Sequence, residues 1–366
     1  MRIVVNDIAA STGGAMTVLR DFYRCVCDND TENEWIFLLG DRYFEETDNV
    51  KIIPMPEIKK SGLKKLLFDF CTGRTFIAAL KPDVVFSMQN IITFGLKVPQ
   101  IVYIHQSIPF QRVKKFSFFK RSERKLAVIQ HLIGEIIKRS AAKSHRVIVQ
   151  TEWMKEAVCK KCRLAADRIN VVMPQVKPFS AEISADFDST AFFYPTAPGI
   201  YKNNVAVYTA SEQLEKKGLD FHITLTLPEE KSRGCVRCVG RLPYEEVVLR
   251  YHSSTLLFPS YIETFGYPLA EARQAGAIVL ASDTAFSREV LEGYENAYFF
   301  DPFKPEELAD LMERVVSGAI IRRAVSAAET TRQDSWAEVM DIVRRTVGEF
   351  WKYVWIWTAA VLIAIC

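Results

Sequence analysis

The sequence predicts an α/β protein made of two doubly wound lobes, and three observations lead there. The chain has 366 residues, more than one core usually supports, so two domains of about 150 to 180 residues each are expected. Short apolar runs rich in Val, Ile and Phe alternate with longer helical stretches, the pattern of parallel sheets covered by helices on both faces. Between two such series, Pro174-Gln175-Val176-Lys177-Pro178-Phe179-Ser180 and the polar residues up to Thr190 carry neither period and mark a linker.

The strands expected in the first lobe are Ile3–Asn6, Trp35–Leu39, Asp83–Ser87, Gln100–Ile104, Arg146–Gln150 and Asn170–Met173. In the second they are Ala191–Tyr194, His222–Leu225, Val236–Gly240, Leu256–Pro259, Ile278–Ala281 and Tyr298–Phe300. This gives lobes at 1–175 and 176–341, with an apolar tail at 342–366. Open α/β sheets bind ligands beyond the carboxyl ends of their strands, so a site is expected in a cleft between the lobes.

Composition narrows the function classes. The chain is 49% hydrophobic and 25% charged, which describes a folded globular protein. A formal charge of +3 gives no reason to expect a nucleic-acid partner. Met1-Arg2-Ile3-Val4-Val5-Asn6-Asp7 is too short an apolar run for a secretory leader, so a cytoplasmic protein with reduced cysteines is expected. Cys159/Cys162 and Cys235/Cys238 have the local spacing of zinc ligands. Residues three apart on a strand point to opposite faces, however, so small buried side chains are the preferred reading and no metal is expected.

The most informative segment is Phe258-Pro259-Ser260-Tyr261-Ile262-Glu263-Thr264-Phe265-Gly266-Tyr267-Pro268-Leu269-Ala270-Glu271-Ala272. A buried strand ends at Pro259, a turn holds Gly266, and Pro268 stands where helices favour proline. Such a helix start is an anion site suited to a diphosphate. Glu271, expected in the first helical turn, can accept two hydrogen bonds from a ribose, and Glu263 can do the same for hydroxyls of a sugar. Taken singly, Glu263 reads equally as a solvated loop residue and Glu271 as a favourable charge at a helix N-terminus.

The full string resembles the Glu-x7-Glu motif of family 4 glycosyltransferases, retaining enzymes of GT-B fold. The resemblance runs from about residue 1 to 341 and includes Gly240-Arg241, Ala281-Ser282-Asp283 and Arg288-Glu289-Val290. It implies donor contacts from Phe265, Gly266, Tyr267, Leu269, Gly240, Arg241 and Glu271. In Phe192-Phe193-Tyr194-Pro195-Thr196-Ala197-Pro198-Gly199-Ile200-Tyr201-Lys202, Lys202 matches the lysine that clamps the donor diphosphate, while the family's partner arginine is missing from Tyr194-Pro195-Thr196. Gly13 and Gly14, in Ser11-Thr12-Gly13-Gly14, resemble the family's first glycine-rich loop, beside the donor phosphates and the acceptor. His105 matches a histidine near the transferred sugar, and Thr151-Glu152-Trp153-Met154 resembles a strand-to-helix junction of the same lobe. Asp186-Phe187-Asp188 spells a metal motif of other glycosyltransferase folds, but it falls in the linker, and GT-B enzymes use cations and helix ends instead.

Arg112, Lys114, Lys115, Lys120, Arg121, Arg124 and Lys125 interleave with Val113, Phe116, Phe118 and Phe119. This is either a solvated helix or a surface for anionic lipid, which Lys59, Lys60, Lys64 and Lys65 would extend. The tail from Phe350 to Cys366 reads as a monotopic or C-terminal membrane anchor, or as a closing helix packed across the two lobes.

The expected function is transfer of a hexose from a nucleoside-diphosphate sugar to a saccharide or lipid-linked saccharide, in surface-polysaccharide assembly at the inner face of the plasma membrane. Glu263, Lys202 and His105 are the expected catalytic residues, and no cofactor beyond the sugar-nucleotide substrate is expected. The rival readings are a nucleotide-sugar epimerase of the same fold and a non-catalytic sugar-binding protein.

Overall fold

Among the described residues, thirteen short strands build two all-parallel sheets, and their near-continuous burial explains why they read as apolar runs rather than alternating ones. The computed structural model describes residues 1–10, 14–176, 179, 186–324 and 335–365. The first sheet comprises β1 (Arg2–Asp7), β2 (Glu34–Leu39), β3 (Val50–Pro54), β4 (Val84–Ser87), β5 (Gln100–Tyr103), β6 (Arg146–Val149) and β7 (Ile169–Val171). Its order is β3-β2-β1-β4-β5-β6-β7. The second comprises β8 (Ala191–Tyr194), β9 (His222–Leu225), β10 (Val236–Cys238), β11 (Thr255–Phe258), β12 (Val279–Ser282) and β13 (Ala297–Phe300), in the order β10-β9-β8-β11-β12-β13. Both have the doubly wound order in which the winding reverses after the first strand, between β1 and β4 and between β8 and β11.

Each strand expected from the sequence is present, with ends shifted by a residue or two. The sequence reading passed over β3, whose Val50-Lys51-Ile52-Ile53-Pro54 mixes an exposed lysine and a proline into a five-residue run. An edge strand tolerates both, because one side of its backbone needs no ladder partner.

The chain divides into two compact units, Met1–Phe110, Val128–Met173 and Gln333–Cys366 in one, Gln111–Ala127 and Pro174–Arg332 in the other. Two expected boundaries therefore change. Residues 111–127 leave the first unit for the second. The chain also returns to the first unit before 341, because the helix Ser335–Ile365 packs there. Its Val339, Met340, Ile342, Val343 and Val347 are buried in one core with Phe22, Trp35, Phe37, Phe86 and Tyr103. Trp336 tilts against Phe22 at 5.3 Å and stands edge-on to Tyr103 at 6.1 Å. Arg344 donates to the buried Asp30 at 3.1 Å, and Arg146 pairs with Glu349 at 2.5 Å. The expected tail is thus the continuation of a helix that starts earlier and packs on the first unit as far as Phe350, while the side chains of 353–366 lie outside the described residues. Among the described residues no helix is long and apolar enough to cross a membrane.

Candidate active site

The loops after β8 and β11 meet at the winding reversal of the second sheet, and they bring Lys202 and Glu263 together. After β8 the chain runs through Pro195–Gly199 into a single 3-10 turn, Ile200–Lys202. Buried Tyr194 donates its hydroxyl to the Lys202 carbonyl at 2.9 Å. The Tyr261 amide donates to the Tyr201 carbonyl at 3.0 Å, and Asn203, at φ +54°, donates its side-chain amide to the Pro302 carbonyl at 2.7 Å. With both backbones fixed, Lys202 Nζ lies 2.5 Å from Glu263 Oε1. The two side chains are 24% and 19% exposed, a setting in which a charge-assisted contact is stronger than at an open surface. Ser260 Oγ lies 2.7 Å from Glu263 Oε1 and 3.2 Å from the Tyr201 carbonyl, so its one proton can serve either acceptor. Nothing in the sequence singles out Ser260, since a serine three residues before a glutamate is common in turns.

Glycine is required at 266. Its φ is +88°, and a Cβ there would lie 3.2 Å from Leu269 Cδ1. The helix Tyr267–Gln274 follows, with Pro268 in its first turn. Phe265 and Leu269 are buried, while Tyr267 is half exposed with its ring edge-on to Phe265 at 5.3 Å. Glu271 sits in the second turn of this helix rather than the first. Its carboxylate accepts from Tyr251 Oη at 2.9 Å and Tyr244 Oη at 3.2 Å. Burial pushes its pKa above the usual carboxylate value, and the two tyrosines act against that. Each oxygen retains a further lone pair for a ligand hydroxyl.

Gly240 has φ +70° in the turn after β10 and open space where a Cβ would stand. Arg241 is exposed and makes no ion pair among the described residues. Strand β10 is separated from β8 by β9, so this turn lies about 10 Å sideways from the Lys202 loop. Asp283, after β12, holds Arg288 through two hydrogen bonds of 2.8 Å, and that guanidinium lies 3.8 Å over the Phe299 ring. A cavity of about 390 Å³ beside them is lined by Val113, Asp283, Phe299 to Lys304 and Glu307. Val113 reaches it from the 111–127 excursion. There Phe116 is buried, Lys114 and Lys120 are paired with the buried Glu123, and Phe119 is 96% exposed.

His105 belongs to the first unit. It follows β5, with its amide 2.6 Å from Asn90 Oδ1 and its ring centroid 4.0 Å from that of Tyr103. Asn90 also accepts from the Gln106 amide at 2.9 Å, and it holds a left-handed φ of +67° to do so. Burial lowers the His105 pKa to about 4, which keeps the imidazole neutral at physiological pH. We expect its ring protons to titrate below about pH 5 in an NMR pH series, and a midpoint near the free value of about 6.5 would show an accessible ring. Because the folded value is depressed, the stability this histidine contributes is present above the unfolded pKa and lost as pH falls toward 4. Asp7 ends β1 as a buried carboxyl raised to about 7 by burial, with Lys65 and Lys59 opposing, a feature without any motif to announce it. Gly13 lies outside the described residues, and Gly14 opens the helix Gly14–Asn29.

The zinc-like cysteines are placed apart in role. Cys159 and Cys162 pack against the β6–β7 core from the helix Glu152–Cys162, and burial pushes the Cys162 thiol up to about 11. Cys238 is buried near Tyr208 Oη, and Cys235 is only partly buried. Asp188 accepts from the Thr190 amide and hydroxyl at 2.8 and 2.7 Å. Among the described residues no group of three His, Cys, Asp or Glu is arranged to hold a metal ion.

Two family models match the sequence, glycosyltransferase family 4 over residues 12–177 and glycosyl transferases group 1 over 228–332. A D-inositol 3-phosphate glycosyltransferase of Nocardioides sp. is 31% identical over 121 residues. That match covers 31% of this chain and 26% of the relative, so the chain spans about a quarter of the curated relative it matches. The crystal structure of WaaG, a glycosyltransferase involved in lipopolysaccharide biosynthesis, superposes with a TM-score of 0.68 at 14% identity, over 93% of this chain and 99% of that one. HepE of Anabaena in complex with UDP-glucose gives 0.59 at 13% identity, over 96% and 100%. At these identities the likeness establishes the two-sheet α/β fold.

Proposed function

The chain belongs to family 4 of the glycosyltransferases, with GT-B fold, and on that premise we propose that it moves a hexose from a nucleoside-diphosphate sugar to a saccharide or lipid-linked saccharide. The reading places this transfer in surface-polysaccharide assembly, with retention of anomeric configuration. The observation that carries it is the Lys202–Glu263 pair at the winding reversal of the second sheet. HepE, solved with UDP-glucose, makes that sugar nucleotide the first donor to test, and WaaG, involved in lipopolysaccharide biosynthesis, supports a surface saccharide as acceptor.

In this reading the acceptor hydroxyl attacks the anomeric carbon on the face from which the diphosphate departs, and a leaving phosphate oxygen takes its proton. The protein then has two tasks, to stabilise charge growing on the phosphate and to hold the sugar as it gains positive character. Lys202 and the N-terminus of the helix Tyr267–Gln274 serve the first, with Gly13, Gly14, Gly240 and Arg241 assigned to the surrounding donor contacts. An ammonium has three donors, so Lys202 can keep Glu263 oriented while it bonds phosphate oxygens. Glu263 and neutral His105 position sugar hydroxyls, and Glu271 holds the ribose.

Incubation with UDP-glucose and a panel of saccharides, with the product linkage read by NMR, tests the proposal. An α-linked product from the α-linked donor is expected. Free sugar or an epimer formed without acceptor would favour the epimerase instead. Glu271→Ala is expected to weaken donor binding by about 1.5 to 3 kcal/mol, since it removes charge-assisted hydrogen bonds; unchanged affinity in calorimetry would take Glu271 out of the site. The reading also assigns no metal, so turnover is expected to survive EDTA, and activity restored by Mg²⁺ or Mn²⁺ after chelation would count against it.

A further inference from the structure

Residues 62 to 79 form one continuous helical run, Gly62–Leu67, Phe68–Thr72 and Gly73–Ala79, whose middle segment is a π turn. Phe68, Asp69, Gly73 and Ile77 face inward. Phe68 and Gly73 are five apart, a spacing the wider turn brings onto one face where a regular α-helix would not. Gly73 is needed there, because a Cβ would lie 2.5 Å from the Phe68 carbonyl oxygen. The outward face should then be polar, and it is not. Leu63, Leu66, Leu67 and Phe70 fall at positions i, i+3, i+4 and i+7, a single helical stripe. They are 78%, 39%, 52% and 38% exposed.

Cations surround this stripe. Segment 56–79 holds Lys59, Lys60, Lys64, Lys65 and Arg74 against Glu57 and Asp69, a net +3 that equals the formal charge of the whole chain. Lys60 and Lys64 share the one carboxylate of Glu57, at 2.7 and 3.4 Å, so positive charge remains on that edge. Lys143 adds another, 5.8 Å over the Phe94 ring that stacks on Phe70 at 4.5 Å. The 112–125 stretch singled out in the sequence also exposes Val113, Phe118 and Phe119 among its cations, but its helix begins only at Arg124, so these side chains form no helical stripe, and Glu123 pairs with Lys114 and Lys120.

We propose that the stripe Leu63, Leu66, Leu67 and Phe70, rimmed by Lys60, Lys64 and Arg74, seats the first unit on an anionic lipid bilayer. The apolar side chains enter the headgroup boundary and the cations meet lipid phosphates. Charge complementarity selects this occupant, because a contiguous apolar face marks an interaction site and a basic rim directs it to an anionic surface. The inference stands apart from the transferase reading, though it suits a lipid-linked acceptor.

The full chain is tested by co-sedimentation with vesicles of phosphatidylcholine alone and of phosphatidylcholine with phosphatidylglycerol. Binding to the anionic vesicles is expected to be at least about tenfold tighter and to weaken with salt. Leu63→Ser with Leu67→Ser should weaken it about tenfold, and Lys60→Glu with Lys64→Glu about a hundredfold. All four side chains are exposed, so circular dichroism and UDP-glucose calorimetry should match wild type, which keeps this test separate from that of the donor site. Equal binding to neutral vesicles, no binding by wild type, or variants that sediment as wild type does would overturn the proposal. So would a dimer in sedimentation velocity that the leucine pair dissolves, since the stripe would then join two copies of the chain.

Discussion

Lys202→Ala is expected to lower kcat about a hundredfold to a thousandfold, the usual effect of removing one preorganised group that stabilises developing charge. The donor KM should rise much less, because the ammonium meets charge that grows as the glycosidic bond breaks. The effect is placed on this residue because no arginine occupies Tyr194-Pro195-Thr196, and because Lys202 is the cation that pairs with Glu263 where the loops after β8 and β11 meet. Lys202→Arg should recover only part of the loss, since a planar fork replaces a compact point charge at a 2.5 Å contact. Steady-state kinetics on purified variants decide the matter. An alanine variant within about threefold of wild type, far short of that usual loss, would mean that another cation holds the diphosphate, and Arg241 would be tested next.

Asp30→Ala is expected to destabilise the protein by about 1 to 3 kcal/mol, the usual cost of leaving buried donors without their acceptor, since Arg344 itself is 39% exposed and regains water. The Asp30 side chain is 1% exposed. It accepts from the Asn33 amide at 3.1 Å, Asn33 Nδ2 at 2.9 Å, Trp35 Nε1 at 3.2 Å and Arg344 Nη2 at 3.1 Å. Alanine leaves these donors without an acceptor inside the fold. Burial alone would raise the Asp30 pKa, but hydrogen bonds from Asn33 and Arg344 outweigh it and hold the group below its ordinary value of 3.8. Its contribution is therefore present above that value and lost as pH falls through the lowered one. Urea titration at neutral pH provides the measurement, and a loss under about 1 kcal/mol would show that the Arg344 contact does not fasten the last helix.

The strands were legible because parallel strands buried on both faces become apolar runs, and β3 was lost because an edge strand can carry Lys51 and Pro54. The string from Phe258 to Ala272 announced its own turn and helix, since Gly266 and Pro268 act on local backbone geometry. Of the partners of that string, Lys202 was named only through the family resemblance, and the tyrosines that hold Glu271 were not legible at all. Lys202 and Glu263 stand 61 residues apart, and only the winding of the sheet brings their loops together. Tyr244 and Tyr251 come from the helix Tyr244–Ser253 to reach Glu271, again a tertiary matter. Trp336, Val339, Met340, Val343 and Val347 have helical spacing, so an amphipathic helix could be read there, but spacing does not say which unit it covers. The 111–127 excursion has no period at all, and its allegiance to the second unit rests on packing.

The return of the last helix to the first unit sets an order of events during synthesis. A nascent chain leaves the ribosome N-terminus first, and domains generally fold as they emerge. Here β1 to β7 have all been made by residue 171, yet Val339, Met340, Ile342, Val343 and Val347 complete their core. Until that helix is made, Phe22 and Tyr103 lack the Trp336 ring that packs on both. Residues 174–332 of the second unit, by contrast, are out of the ribosome before residue 339 is added. The unit that begins the chain is thus the last to finish, and its half-built core is exposed to chaperones and proteases throughout the synthesis of the other.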